Sequence, residues 1–362
     1  MTELCERHGI SRKTGYKWSE RYVAEGIDGL KDRSRAPKSC PHRTEDRLVE
    51  ALVAARRKHP RWGPRKLLPW LAKRHPTWDL PAPSTAGDIL KQHGLVEPRV
   101  RRRRPPHPGR PKLEVTSPND LWSCDFKGQF RMGDRRYCYP LTVADRCSRY
   151  LLGCDGQDST AYAGVRQVFE RLFQEQGLPE AMLSDNGVPF SSTGLGGLSV
   201  WWIKLGIEPL RIQPGCPQQN GGHERMHVDL KAETTRPPAA QLRAQQCLFD
   251  AFRTEFNQER PHEALGQRTP AEVYEPSPRP YPQRVAEVEY PGHFEVRRVR
   301  SDGRIRWQGK FLFISEVLIG EPVGLEEVGD GIWSLHFASR QLARFDERDR
   351  SLKATPEGEL DT

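Results

Sequence analysis

Three acidic residues stand where a sheet enzyme would need them. Asp125 lies in Leu121-Trp-Ser-Cys-Asp-Phe-Lys-Gly128, flanked by side chains suited to a core. A carboxylate at mid-strand is costly unless it is paired or bound to a cation. Asp185 follows Met182-Leu183-Ser184 and precedes Asn186-Gly187. Glu224 falls early on a helix entered through a glycine-containing loop, in Pro217-Gln-Gln-Asn-Gly-Gly-His-Glu-Arg-Met-His-Val-Asp-Leu-Lys231. Singly, each has a plain reading: a buried acceptor, a turn former, and an acid favoured by the helix dipole. Jointly they are hard oxygen ligands from three separated elements with no histidine or cysteine cage, the set that Mg²⁺ or Mn²⁺ prefers. Phosphodiester chemistry commonly uses two such ions roughly 3.5–4 Å apart.

The elements that must position these acids form an α/β pattern after Ser117-Pro118. Leu121 to Met132 alternates like a strand, Gly133-Asp134 makes a turn, and Tyr137 to Val143 and Arg149 to Cys154 continue an antiparallel meander. Tyr162, Val165, Phe169, Leu172 and Phe173 recur at helical spacing until Gly177-Leu-Pro179. A short strand at Ala181 to Leu183, a helix around Val200 to Leu205, a strand at Ile207 to Ile212 and a helix from about Asn220 follow. Together they predict one mixed sheet covered by helices. Beyond the proline-rich Glu275-Pro-Ser-Pro-Arg-Pro-Tyr-Pro282, alternating pairs such as Ile305/Trp307 and Trp333/Leu335 predict a small C-terminal β-barrel.

The front of the chain is different. Residues 1 to 114 hold 27 basic and 13 acidic side chains, net +14, and the remainder is net −5 within a total of +9. The front third therefore reads as a polyanion binder. Its first segment resembles the last two helices of a helix-turn-helix, with Ser11 as N-cap and Arg12, Lys13 and Lys17 offered to a DNA groove. Only Thr2 to His8 precedes the turn at Gly9, so the chain is expected to begin inside that first module. Glu45 to about Leu95 predicts a second helical DNA-binding group, with Ser84 capping its third helix. Pro98 to Lys112 reads as an extended linker whose Arg101, Arg102, Arg103 and Arg104 lie along phosphates. Eight cysteines without a C-x-x-C pair suit a reducing cytosol. The absence of a long uncharged apolar stretch or an apolar leader argues against membrane and export.

Four motifs carry a family resemblance: Trp122-Ser-Cys-Asp125-Phe-Lys-Gly, Ser184-Asp185-Asn-Gly-x-Pro-Phe190, Pro217-Gln-Gln-Asn-Gly-x-x-Glu224-Arg, and Asn257-x-x-Arg260-Pro-His262-x-Ala-Leu-Gly-x-x-Thr-Pro270. In order and spacing the chain resembles the integrase-like D-D-x-E transposases of bacterial insertion sequences. The resemblance implies a ribonuclease H-like core with a mixed five-stranded sheet. It also implies two Mg²⁺ (or Mn²⁺) ions per active site, Asp125 bridging them and Asp185 and Glu224 completing each side. Asn220, Gly221 and Gly222 would form a mobile loop. Lys231, seven residues after Glu224, would meet a phosphate near the scissile bond, and His227 faces the same side or packs. Asp145 is the better fit to a structural turn. Cys124 stands where relatives often carry a hydroxyl.

The expected organisation is multidomain. It comprises an incomplete helix-turn-helix (1–38), a second helical module (45–96), a basic linker (97–116), the catalytic core (117–274) and a small β-barrel (285–350). The expected partners are double-stranded DNA, as element terminal repeats and as target, and further copies of the chain, in a bacterial cytoplasm. The activity implied is cleavage at element ends followed by transfer of the freed 3′ hydroxyl into target DNA. The alternatives are an inactive DNA-binding or assembly derivative and a plain nuclease of the same fold.

Overall fold

A computed structural model describes residues 1–33, 43–97, 115–185, 187, 189–190, 195–212, 217–348 and 353–354. The chain forms two compact units, residues 1–50 and 51–362.

In the first unit, helix α1 (Thr2–Arg7) turns at Gly9, φ +60°, into α2 (Arg12–Glu25). Ser11 caps α2 as expected, its hydroxyl accepting from the Thr14 amide at 3.2 Å. The two helices approach closely because Gly15 has no side chain: a Cβ there would lie 2.4 Å from the Cys5 Sγ. Several large side chains of this unit are left uncovered. Ile10, Tyr16 and Tyr22 are all exposed, as is Leu4.

The second unit opens with most of α3 (Asp46–Lys58), then α4 (Pro64–Arg74) and α5 (Pro83–Gln92). Leu52, Trp62, Leu67, Leu71 and Leu90 are buried among them. Ser84 is not the cap of α5. Pro83 occupies the first turn and Ala82 the cap position, without a side-chain bond, because proline's fixed φ suits that turn and its missing N–H needs no partner there.

The core sheet contains β1 (Leu121–Phe126), β2 (Phe130–Arg131), β3 (Tyr137–Asp145), β4 (Leu151–Gln157), β5 (Ala181–Ser184) and β6 (Glu208–Arg211). Strands β4, β3 and β1 pair antiparallel, and β1, β5 and β6 pair parallel. The expected run from Leu121 to Met132 is broken. Gly128, φ +82°, interrupts it, and β2 resumes beside β3 with the register moved by one residue. The result is the expected mixed sheet of five lanes. One face is covered by α6 (Tyr162–Gln176) and α7 (Gly197–Lys204), whose Phe169, Leu172, Phe173 and Trp202 bury Trp122, Cys124, Leu141 and Val143. The other is covered by α8 (Gly221–Thr234) and α9 (Leu242–Gln258), through Met226, Leu230, Phe249 and Phe252.

The C-terminal region corrects one expectation. Strands β7 (Glu295–Arg298), β8 (Arg304–Trp307), β9 (Lys310–Phe313), β10 (Pro322–Gly329), β11 (Ile332–Phe337), β12 (Arg340–Asp346) and β13 (Lys353–Ala354) do not close a barrel. The sheet runs β13-β12-β11-β10-β7 with open edges, while β8 and β9 pair only with each other. The hairpin instead buries Ile305 and Trp307 against Leu325, Trp333, Leu335 and Phe345 of the sheet. The alternation that suggested closure serves two packed layers.

Candidate active site

Period-two alternation divides β1 between two environments. Trp122 and Cys124 enter the apolar core beneath α6, while Ser123 and Asp125 take the opposite face, beneath α8. Asp125 stands directly across from Thr142 of β3. On its other side, β1 and β5 pair parallel with Ser123 opposite Leu183. Continuing that register by two residues sets Asp185, just past the end of β5, level with Asp125. Adjacent strands lie about 4.8 Å apart, so the two carboxylates are neighbours. Asp185 Oδ1 also accepts from the Gly187 amide at 3.1 Å, so the turn reading and the site reading of this acid are compatible. Glu224 is exposed in the first turn of α8.

Electrostatics tie the acids together. The Asp125 carboxyl is pushed up to about 7, first by burial, then by the negative charge of Asp185, with Glu224 adding in the same direction. A carboxyl held this far above its ordinary range marks a place where a further positive charge is favourable. The three donors are hard oxygens and fit a divalent cation such as magnesium or manganese. Among the described residues, no group of three histidine, cysteine or acidic side chains converges into a finished metal shell. The acids share one electrostatic neighbourhood without forming a closed cage.

Beneath Asp125 is a buried polar network that the sequence reading missed apart from His227. Thr142 Oγ1 donates to the Asp125 backbone carbonyl at 3.0 Å. It also meets His227 Nε2 at 2.7 Å and His223 Nε2 at 3.0 Å. His223 Nδ1 lies 2.9 Å from the Ser123 hydroxyl, and His227 Nδ1 is 3.7 Å from Asp125 Oδ2. Ser123, Thr142, His223 and His227 are all buried. Burial holds both imidazoles neutral: His223 falls to about 3, with Arg146 second as a cause, and His227 to about 2, with His223 second. The signal available in the sequence was the pair of histidines four apart on one helix, bracketing Glu224.

The remaining expected residues separate. Lys231 is exposed on α8 with no acidic partner among the described residues. Asn220 is buried at the head of α8, its side-chain oxygen accepting from Arg146 Nη1 at 3.1 Å, while Arg146 Nη2 bonds the Gln219 carbonyl at 3.1 Å. Asn220 to Gly222, expected as a loop, belong to a short 3₁₀ turn (Pro217–Asn220) and to α8 itself. Arg149 lies over Gly222, where a Cβ would come 2.5 Å from its Nη1. Asp145 closes its own turn, accepting from Asn119 N, Ser148 N and Ser148 Oγ. Arg12, Lys13 and Lys17 are exposed on α2. Arg101, Arg102, Arg103 and Arg104 lie outside the described residues.

Behind the site, Arg260 is almost wholly buried, at 1% exposure, and joins three acids: Asp229 at 2.9 Å, Glu233 at 3.0 Å and Glu255 at 2.9 Å. Arg61 meets the same Asp229 at 3.0 Å, and Trp62 lies beneath the Arg260 guanidinium. This hub fastens the helices of residues 51–92 to α8 and α9. No helix among the described residues is long and apolar enough to cross a membrane.

Comparison with known proteins gives a consistent series. Residues 14–90 match the homeodomain-like domain, residues 115–217 and 205–270 match the integrase core domain, and residues 294–353 match the C-terminal domain of the IS481 family of transposases. The chain is 30% identical over 232 residues to the insertion element IS476 uncharacterized 39.2 kDa protein of Xanthomonas euvesicatoria, covering 62% of this chain and 64% of that one. It is 27% identical over 187 residues to the insertion element IS407 uncharacterized 31.7 kDa protein of Burkholderia multivorans, covering 51% and 66%. The matched part thus spans just under two thirds of each of these relatives. Among solved structures, the HTLV-2 integrase catalytic core domain in complex with magnesium is 13% identical, covering 45% of this chain and 100% of that one at a TM-score of 0.34. A simian T-cell lymphotropic virus intasome chain is 15% identical, covering 80% and 97% at a TM-score of 0.39.

Proposed function

On the premise that this chain belongs to the integrase-core transposases of bacterial insertion elements, we propose that it cuts DNA at element ends and transfers the freed 3′ hydroxyl into target DNA. Asp125, Asp185 and Glu224 are the catalytic acids of this reading. They would hold Mg²⁺ or Mn²⁺, two ions per site, whose chemistry there would be to activate the attacking oxygen and stabilise the leaving one. The observation that carries the proposal is the carboxylate at mid-strand. Asp125 is partly buried, level with Asp185 and under the influence of Glu224, an arrangement with no evident structural use and a clear one in binding cations.

The chain's own residues do the rest. Lys231, seven residues after Glu224 on the same face of α8 and without an acidic partner among the described residues, would meet a phosphate. Arg146 and Arg149 brace the head of α8 and so fix where Glu224 stands. DNA recognition is assigned to α2, through Arg12, Lys13 and Lys17, and to the linker arginines 101 to 104. The chain would act on DNA as an oligomer in the bacterial cytoplasm.

The test is incubation of the full chain with duplexes carrying the flanking element ends, Mg²⁺ and a target plasmid. Nicked ends and joined products are expected. Asp125→Asn, Asp185→Asn and Glu224→Gln should each abolish both steps and leave end binding intact, since charge is removed at constant volume. A variant that still joins ends would remove its residue from the site. Nicking without joining would mark the protein as a nuclease.

A further inference from the structure

Resting on the proposed active site, the geometry points to Thr142 as a positioning residue that sets the separation of Asp125 and Glu224, with His223 and His227 as its two arms. A threonine hydroxyl offers one hydrogen and accepts two. The Asp125 carbonyl can only accept, so the hydroxyl hydrogen goes there, at 3.0 Å. Both imidazoles must then donate from Nε2, at 3.0 Å for His223 and 2.7 Å for His227. Every position on the hydroxyl is filled, and His223 Nδ1 is left to accept from Ser123 at 2.9 Å, the shorter of the two contacts that compete for the one Ser123 hydrogen, the other being the Ala144 carbonyl at 3.3 Å.

The ends of this clamp are informative. On the strand side it grips the backbone of Asp125 itself. On the helix side it grips the residue before Glu224 and the residue three after it. At 1.5 Å of rise per residue, both grips lie within about one turn of Glu224. Elsewhere α8 meets the sheet through Met226 and Leu230, which enter the hydrophobic cluster over Cys154 and Phe249, while its buried Asp229 turns to Arg260. Packing alone would be met by more side chains of that kind. Among the described residues, the polar side-chain bonds from α8 to the sheet strands lie in the turn around the acid, and those further along, from Asp229 and Glu233, go to Arg260 instead. Apolar contacts tolerate sliding, whereas directional bonds to one atom fix both the height and the rotation of the helix.

His227 adds a second constraint. With Nε2 donating to Thr142, its Nδ1 presents a lone pair 3.7 Å from Asp125 Oδ2. A lone pair facing a carboxylate oxygen repels it, so His227 bears on the rotation of the Asp125 carboxylate. The clamp therefore acts on the orientation of one acid and the location of another without touching DNA.

The experiment compares the full chain with Thr142→Val, Thr142→Ser, His227→Leu and Asp125→Asn. Mn²⁺ binding is measured calorimetrically without DNA, and melting, end binding and Mg²⁺-dependent cleavage are recorded beside it. Thr142→Val should weaken Mn²⁺ binding about ten- to a hundredfold while end binding stays unchanged. Thr142→Ser should restore it, and His227→Leu should weaken it in the same direction. A Thr142→Val protein that melts lower but binds Mn²⁺ like the wild type would reduce the network to packing and overturn the inference. Should Thr142→Val not fold, a folded His227→Leu with wild-type Mn²⁺ affinity overturns it equally. If the wild type binds Mn²⁺, Asp125→Asn does not, and the clamp variants are unaffected, the clamp alone falls. If the wild type binds no better than Asp125→Asn, the active-site reading fails and takes the clamp with it.

Discussion

On α2, Arg12, Lys13 and Lys17 are exposed, and none has an acidic partner among the described residues. In residues 61–74 four of the five basic side chains are engaged: Arg61 with Asp229 at 3.0 Å, Arg65 with Glu263 at 2.9 Å, Lys73 with Glu272 at 2.6 Å and Arg74 with Glu259 at 3.1 Å. Both groups belong to the basic front third and read alike in sequence. Their difference lies outside them, in acids almost two hundred residues later. Positive charge becomes available to DNA only where the fold has not already supplied an anion, so a charge count over a segment overstates its capacity to bind.

The sharpest way to break this comparison is at the hub. Arg260→Met would leave Asp229, Glu233 and Glu255 without their common cation. Removing one partner of a buried ion network costs about 3–5 kcal/mol, and urea unfolding should show a loss of that order. A loss under about 1 kcal/mol would mean that the helices of residues 51–92 are held by their apolar contacts alone.

Next in size is the contrast in binding. A triple Arg12→Ala, Lys13→Ala, Lys17→Ala variant should lose on the order of a hundredfold in affinity for element ends, each lost base contact being worth about 1–3 kcal/mol. A quadruple alanine variant at Arg61, Arg65, Lys73 and Arg74 should change end affinity by less than about threefold, and stability by about 1 kcal/mol or less per exposed pair. Equal losses in the two variants, read by fluorescence anisotropy at one salt concentration, would erase the distinction between the two groups.

A smaller effect should appear with pH. His59 stacks on Trp62 at 3.9 Å and is lowered to about 4, first by burial, then by Lys58, with Glu259 opposing. Between that value and its ordinary 6.5 the unfolded chain binds the proton and the folded chain does not, so stability rises with pH there. The contribution is fully present above pH 6.5 and is lost as pH falls towards 4. The urea midpoint should therefore fall across this window more for the wild type than for His59→Gln. Parallel curves would show that His59 ionises freely in the fold.

The core was legible in the sequence because its elements are locally encoded. The spacing of Val165, Phe169, Leu172 and Phe173 declares α6, and Gly177 ends it, whatever surrounds them. Asp125 and Asp185 stood out as candidates for a related reason, since a charge in an apolar strand or at a strand exit is anomalous within its own segment, whereas Glu224, an acid in the first turn of a helix, stood out only in combination with them. Thr142, His223 and Ser123 did not. Their significance arises only when β3 places Thr142 opposite Asp125 and α8 crosses above, and no local pattern marks a threonine in a strand. The barrel failed similarly, since alternation shows that one face is buried but not whether a neighbouring strand or a crossing hairpin buries it.

The smallest expected effect extends the comparison to the C-terminal sheet, which holds both kinds of arginine within a few residues. Arg297 and Arg298 pair with Glu295 and Glu287. On the β8–β9 hairpin, Arg304 stands across from Phe313 and Arg306 across from Phe311, and the two phenylalanines are 51% and 53% exposed. Arg300 lies over the Phe311 ring at 5.0 Å. Neither the Arg304 nor the Arg306 guanidinium has an ion-pair partner among the described residues, the Asp302 carboxylate bonding the Arg304 backbone amide at 3.2 Å instead. If availability of charge decides DNA contact, Arg304→Ala with Arg306→Ala should weaken binding to all duplexes alike, by a fewfold, because phosphate contacts carry no sequence information. It should also lower the slope of log affinity against log salt by about 1.8, at roughly 0.9 per phosphate. Arg297→Ala with Arg298→Ala should leave that slope unchanged. The two pairs lie in one small region with the same net charge, so a difference between them cannot come from long-range attraction. If both pairs lower the slope equally, the neighbouring acids do not withhold charge from DNA, and the contrast drawn between the two helical groups loses its physical basis.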